Sequence, residues 1–173
     1  INVSAGDSGY LDANSCTCGY YNEKHELVPK DRLKYQNENC VVAADNGIYT
    51  IGSVDELKEA IPLLGGYYYQ LTTNIDITED WTPWGSETQP FSGVFDGNNK
   101  TITLTKNIGK DDMDNVGFFG YAKGKDCKIT NLNLVVEGDV LGREVVGALV
   151  GHNECQIENV TVQINNVTGK NYV

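Results

Sequence analysis

Two segments of this chain are imperfect copies of one another, and this internal repeat limits the fold more than any other feature. The first copy is VGFFGYAKGKDCKITNLNL, residues 116 to 134, and the second is VGALVGHNECQIENVTV, residues 146 to 162. Their tails align at an offset of 28 residues, which places Cys127 on Cys155, Ile129 on Ile157, Asn131 on Asn159 and Leu132 on Val160. Self-similarity at a fixed period of this size is typical of proteins built from stacked units.

Each copy predicts two strands that meet at an asparagine. Cys127 and Ile129 are both odd-numbered, as expected if their side chains point to the same face of a strand, whereas the apolar Leu132 is even-numbered. The parity changes at Asn131, and asparagine tolerates the left-handed conformation that a tight corner needs. We therefore predict a strand, a corner and a second strand, with the equivalent corner of the second copy at Asn159.

Weaker copies precede these two and extend the repeat to about four units. The equivalent positions are spaced by 27, 30 and 28 residues and are Ile75, Ile102, Leu132 and Val160. The segments alternate with period two and are separated by Gly and Asn, which favours strands over the helix pairs of a helical solenoid. We predict an all-β fold, a right-handed parallel β-helix of about four coils, each coil about 4.8 Å from the next.

These residues also resemble a known family. The segment VGALVG, residues 146 to 151, resembles the GLUG motif, a repeat of bacterial secreted and surface proteins, and GFFG, residues 117 to 120, resembles a shortened copy. The segment FSGVFDGN, residues 91 to 98, is similar to the opening coil of such regions. The resemblance covers roughly residues 48 to 165 and implies a β-helix in a bacterial surface protein, without a catalytic signature.

The charge of the chain excludes some classes of partner. Thirteen Lys and Arg against 24 Asp and Glu give a net charge of −11, which disfavours nucleic acid and anionic membranes. The chain has no run of 18 apolar residues, so we expect no membrane insertion. Few basic residues, 19 glycines and ten tyrosines fit an extracellular or cell-surface protein.

The first 47 residues lack the repeat. We predict a loop-rich, cysteine-containing segment over residues 1 to 47 and a β-helix with its capping helix over residues 48 to 173. Cys16, Cys18, His25 and Cys40 supply the ligand set of a structural zinc site. Alternatively, Cys40 forms a disulfide with Cys16 or Cys18. We favour the disulfide, because the Cys-x-Cys spacing is tighter than that of the common zinc knuckle.

A helix is predicted near residues 53 to 61. Ser53-Val54-Asp55-Glu56 is a capping box, and apolar residues recur at helical spacing until Pro62 and a glycine pair end the pattern. Such a helix covers the open end of a β-helix, where unpaired strand edges invite association. Its alternative role is to bind a partner.

Aromatic side chains cluster in the first two coils and leave two interpretations open. The cluster includes Tyr67, Tyr68, Trp81 and Trp84. Exposed rings of this kind bind carbohydrate by stacking on a sugar face, whereas buried rings stabilise the core. We favour packing and keep these four residues as candidate carbohydrate-binding residues.

One loop concentrates acidic residues. Asp111, Asp112 and Asp114 lie within four residues, and oxygen ligands of this kind suit calcium. The loop lacks the bend glycine and the closing glutamate of an EF-hand, so we favour a solvated acidic loop.

No group of residues predicts catalysis. The β-helical polysaccharide lyases and hydrolases that the architecture resembles use Asp pairs or a basic residue beside calcium, and Arg32 and Arg143 are the two arginines available. His25 and His152 lie in no recognisable nucleophile motif, and His152 follows a glycine where a solvated corner residue is expected. We expect no enzyme and no obligatory cofactor. The favoured function is adhesion or scaffolding by a bacterial surface module, and the alternative is a carbohydrate-binding or carbohydrate-active β-helix.

Two further expectations concern the last coil. Stacking brings Cys127 and Cys155 within disulfide range, but side-by-side inward Cβ bonds are too far apart, so we predict two buried free thiols. The repeat fades after Val162 and no second helix follows, so the last coil presents an open strand edge. We expect this edge to be covered by further coils or by self-association, and not by the N-terminal loop segment, because that segment precedes the opposite end of the stack.

Overall fold

A computed structural model describes residues 20–21, 27–28, 48–63 and 67–173. The chain divides into two compact units, Ile1–Thr50 and Ile51–Val173. In the first unit, β1 (Tyr20–Tyr21) pairs antiparallel with β2 (Leu27–Val28). Strand β3 (Ile48–Ile51) runs up to the start of the second unit.

The helix predicted near residues 53 to 61 is confirmed. Helix α1 spans Val54–Ala60 and continues into a 3₁₀ helix, Ile61–Leu63. The Ser53 side chain accepts a hydrogen bond from the Glu56 N–H at 3.2 Å, and the Glu56 carboxylate accepts one from the Gly52 N–H at 2.7 Å. These bonds satisfy N–H groups at the helix start, where no intrahelical partner exists. Leu57 is buried, and α1 contacts the first coil.

The second unit is a parallel β-helix of about four coils, as predicted. Its main sheet runs in the order β11, β9, β6 and β4, with β5 also paired to β6 and β7 to β9, while β8 and β10 form a separate pair. All of these pairings are parallel. The strands are β4 (Tyr68–Leu71), β5 (Ile75–Ile77), β6 (Val94–Leu104), β7 (Ile108–Gly109), β8 (Asp114–Val116), β9 (Phe119–Leu141), β10 (Glu144–Val146) and β11 (Val150–Thr168).

The coil register confirms most of the predicted repeat and corrects one position. Ile75 pairs with Ile102, 27 residues on, and the tails of β9 and β11 pair at the predicted offset, as in Leu132 with Val160. Ile102, however, pairs with Leu134, so Leu132 was the wrong equivalent. The register shifts between Asp96 and Lys100, where additional residues loop out of β6. Because Leu132 and Leu134 have the same parity, the sequence pattern did not distinguish them.

The asparagine corners are confirmed. Asn131 and Asn159 both adopt φ 52°, in the left-handed region. The additional residues of β6 include two more asparagines with positive φ, Asn98 at 48° and Asn99 at 57°. Asparagine adopts this conformation at lower cost than residues with larger side chains, so these positions suit the turns between flat strands.

Aromatic rings fill the interior of the first three coils. Trp84 lies at the centre, with its ring centroid 5.1 Å from those of both Tyr69 and Phe91 and 5.5 Å from that of Phe119. Edge-to-face and offset arrangements of this kind contribute about 0.5–1.5 kcal/mol per pair beyond the burial of area.

The glycines of the repeat lie where neighbouring coils approach most closely. A Cβ on Gly120 would lie 2.5 Å from the Gly85 carbonyl oxygen, and one on Gly151 would lie 2.7 Å from the Gly120 carbonyl oxygen. These three glycines therefore stack, one in each of three successive coils. The stack gives a steric reason for glycine at the ends of GFFG and VGALVG.

Neither helix among the described residues is long and apolar enough to cross a bilayer.

Candidate functional site

The two tryptophans of the predicted sugar platform are buried. Trp81 is 3% exposed and Trp84 is 0% exposed. The Trp81 Nε1 donates a hydrogen bond to the Phe118 carbonyl oxygen at 2.9 Å, and the two rings stack with their centroids 4.8 Å apart. A buried ring offers no face to a sugar, so both indoles belong to the core.

The two tyrosines of that platform lie nearer the surface. Tyr67 is half-buried and packs edge-on against Tyr69, with ring centroids 6.2 Å apart. Tyr68 is 36% exposed, and its hydroxyl donates to the Asp96 carboxylate at 2.9 Å. Burial, followed by the hydrogen bond to Asp96 and its charge, raises the pKa of Tyr68. The four residues therefore do not share one surface.

Asp96 forms a polar cluster that sequence analysis missed. Its buried carboxylate accepts hydrogen bonds from four donors, at 2.8 to 3.1 Å: the Tyr68 hydroxyl, the Gln70 side chain, the Asn98 backbone and the Asn131 side chain. Burial acts to raise the pKa of Asp96, but the four hydrogen bonds outweigh it and hold that pKa below its usual value. The signal in the sequence was an Asp directly after the inward-facing Phe95, followed by Gly-Asn-Asn.

The acidic loop is partly neutralised within the chain. The Arg143 Nε donates to Asp114 Oδ1 at 2.8 Å, and its Nη2 donates to Asp114 Oδ2. These bonds lower the pKa of Asp114 and raise that of Arg143. Asp111 and Asp112 are exposed. In the part of the chain that the structure describes, no three acidic, cysteine or histidine side chains converge as metal ligands.

The candidate zinc ligands and disulfide partners of the first segment, Cys16, Cys18, His25 and Cys40, lie outside the described residues. Both interpretations of these residues stay predictions.

The prediction of two free thiols in the last coils is wrong. Cys127 and Cys155 form a disulfide, with their Cα atoms 4.9 Å apart. The register between β9 and β11 shifts between Glu154 and Gln156, so Cys155 lies at an irregular point of its strand. The side-by-side Cβ geometry of two regular strands, on which the prediction rested, therefore does not apply here.

The prediction of a corner at His152 is wrong, because His152 lies within β11 opposite Tyr121. The two rings stack with centroids 4.2 Å apart and an interplanar angle of 11°. The Glu154 carboxylate accepts from Lys123 at 3.0 Å and from the Tyr121 hydroxyl at 3.3 Å. It also lies 3.3 Å from His152 Nε2. Lys123 is the main cause of the lowered pKa of Glu154, and Glu154 raises the pKa of Lys123.

Polar side chains connect successive coils at two corners. At the first, Asn159 donates to Asn131 at 3.3 Å, and Asn131 donates to Asp96 at 3.0 Å. At the second, Asn166 donates to Asp139 at 2.9 Å, and the Asp139 N–H donates to Asn107 at 2.9 Å. These two series of hydrogen bonds end in the last coil at Asn159 and Asn166. The Oδ1 atoms of these asparagines accept no hydrogen bond from the described residues.

Strand β11 forms the edge of the stack. Among the described strands it pairs with β9 alone. Ile157, Val162 and Ile164 are 41%, 39% and 37% exposed, whereas their β9 partners Ile129, Leu134 and Val136 are buried. These three side chains of the last coil therefore lack the covering layer that buries their partners in β9.

Comparison with known proteins identifies one informative relative. No family model and no solved structure matches the chain. A protein of Evansella cellulosilytica, named as a Gly-rich membrane protein, is 33% identical over 145 residues. The alignment covers 75% of this chain and 16% of the relative. The chain thus spans about a sixth of the length of the relative that it matches.

Proposed function

We propose that this chain is a non-catalytic, extracellular β-helical module of a bacterial surface protein, and that its role is to build a rigid spacer or scaffold. The coil-to-coil pairing of polar side chains carries the proposal. The carboxylates of Asp96, Asp114, Glu154 and Glu158 all bond to side chains of a neighbouring coil. Carboxylates that bond from one coil to the next support a structural role for the stack.

Two observations support the extracellular location. The Cys127–Cys155 disulfide joins neighbouring coils, and disulfides persist mainly in oxidising compartments. The Evansella relative is named as a membrane protein and is several times longer than this chain, which fits a module within a larger surface protein. The resemblance to GLUG repeats leads to the same expectation.

Surface labelling tests the location. An antibody raised against the purified chain should label intact cells of the organism that produces it, and brief protease treatment of those cells should remove the label. Labelling that needs cell lysis would contradict the proposal. A known cytoplasmic protein of the same cells is the control for leakage.

A second candidate function is carbohydrate binding, with adhesion to a glycan as its outcome. The exposed ring of Tyr68, fixed by the hydrogen bond from its hydroxyl to Asp96, favours it. On a glycan array, specific binding that is lost in Tyr68→Ala and kept in Tyr68→Phe would support a stacking role. Absence of binding by the parent chain would favour the scaffold.

A further inference from the structure

The middle of the β11 edge, from Gln156 to Ile164, lacks most of the features that usually protect an exposed strand. Natural edge strands are blocked by Lys, by Pro, by shortness or by bulges. Strand β11 has 19 residues and contains no Lys, Arg or Pro. Its register with β9 shifts just before Gln156 and just after Ile164, but it holds between them, across the corner at Asn159, where the exposed apolar residues lie. An edge segment that keeps one register and carries an apolar inner row is a template for another strand.

The inner row matches the rows that are covered within the protein. Ile157 continues a row from Ile129, and Val162 continues one from Leu134. In the third coil, Ile129 and Leu134 are buried beneath the fourth coil. A further strand with apolar residues over Ile157 and Val162 would bury these two side chains in the same way. The open Oδ1 atoms of Asn159 and Asn166 offer acceptors at the corners.

The charges of the edge indicate the kind of strand that fits. The third coil presents Lys123 and Lys128, which form ion pairs with Glu154 and Glu158 of the fourth coil at 3.0 and 2.6 Å. The fourth coil therefore presents acidic groups to whatever lies beyond it. A second copy that paired through its own β11 would place acidic residues beside Glu154 and Glu158, and each copy has a net charge of −11. A strand with Lys or Arg at these positions would instead repeat the Lys–Glu pairing between the third and fourth coils.

We propose that the β11 edge binds, by parallel strand addition, a polypeptide coil with apolar residues over Ile157, Val162 and Ile164 and with Lys or Arg beside Glu154 and Glu158. Backbone hydrogen bonds to β11 supply affinity, and the apolar and basic positions supply specificity. A side-chain amide at the partner's corner donates to Asn159. The β11 edge offers this surface wherever the protein is located.

A fusion tests the proposal without a free ligand. A copy of Val146–Val173 appended after Val173 preserves the 28-residue spacing of Cys127 and Cys155. In one fusion the copy carries Glu154→Lys and Glu158→Lys, and in its matched control both glutamates are kept. We expect the basic copy to raise the melting temperature of the chain above that of the acidic copy and to slow amide exchange in β11. Equal melting temperatures, with β11 exchange unchanged from the parent, would overturn the proposal.

A peptide of the chain's own third coil provides the second probe. The peptide spans Asp126–Val136 with Cys127→Ser, and its control carries Lys128→Glu in addition. We expect fluorescence anisotropy to show binding to the full chain that is at least about tenfold weaker for the control peptide. Val162→Lys in the protein should weaken binding by at least about tenfold, whereas the neighbouring outward change Thr161→Lys should leave it within about twofold.

Self-association is the competing outcome. Light scattering over a range of protein concentrations, with amide exchange read in parallel, distinguishes it. A concentration-dependent dimer that protects β11 would overturn the basic partner and assign the edge to a second copy. A monomer whose β11 amides exchange faster than those of β9 supports the proposal, because that edge is then open for a different strand.

Discussion

Cys127 and Cys155 lie one coil apart, and the disulfide between them joins the last coil to its neighbour across a Cα separation of 4.9 Å. A cross-link that closes a loop of 28 residues lowers the entropy of the unfolded chain. We therefore expect reduction, or the double change Cys127→Ser and Cys155→Ser, to lower the free energy of unfolding by about 2–4 kcal/mol.

Urea unfolding of the oxidised, reduced and doubly substituted proteins measures that loss. Peptide mapping after thiol alkylation in urea provides the control. If Cys127 and Cys155 are both alkylated before any reductant is added, the disulfide is contradicted.

The Asp96 cluster predicts acid sensitivity. Because the folded-state pKa of Asp96 lies below its unfolded value of about 3.9, the unfolded chain binds the proton more readily in that range. The contribution of Asp96 is present above the unfolded pKa and is lost as the pH falls through the folded pKa. Asp96→Asn should cost about 1–3 kcal/mol at pH 7 and reduce the loss of stability in acid.

Denaturant unfolding at pH values from 7 down to 2 tests this prediction. Asp111→Asn, in the exposed acidic loop, is the matched control for the loss of one carboxylate. An Asp96→Asn protein with the parent's pH dependence would show that Asp96 is not the sensitive group.

The corner at Asn131 predicts a difference between two small substitutions. Asn131→Ala places a Cβ-bearing residue without amide groups at φ 52° and removes the hydrogen bond to Asp96. Asn131→Gly removes the same hydrogen bond but tolerates the positive φ. We expect the alanine variant to lose about 2 kcal/mol and the glycine variant about half of that. Thermal unfolding measures both, and a glycine variant less stable than the alanine variant would contradict the backbone argument.

The glycine stack predicts a steric effect. Gly120→Ala places a Cβ 2.5 Å from the Gly85 carbonyl oxygen and 2.8 Å from that of Asn115, and neither backbone group yields without moving its coil. We expect a loss of about 1–3 kcal/mol. Gly124→Ala is the control, since its nearest atom, the Ser92 Cβ, lies 3.1 Å away in a less crowded place. Similar melting temperatures for the two variants would show that the stack is less rigid than this spacing indicates.

The sequence by itself determined the architecture, because its determinants are local and periodic. Alternating apolar residues specify strands, an asparagine specifies the corners at Asn131 and Asn159, and the capping box before Val54 specifies the helix. The offset of 28 residues between Cys127 and Cys155 then fixes how the last two coils stack. None of these features requires knowledge of a distant contact.

The tertiary structure decided the properties that depend on which residues the stacking brings together. Parity did not reveal that residues loop out after Asp96, so Ile102 was matched to Leu132 and not to Leu134. A local irregularity beside Cys155 permits a disulfide that regular strand geometry disfavours. An aromatic residue has the same sequence signature in a core and on a sugar platform, and the coil above Trp84 buries it. The exposure of Ile157 likewise depends on stacking, since the equivalent residue one coil earlier, Ile129, is covered by the next coil.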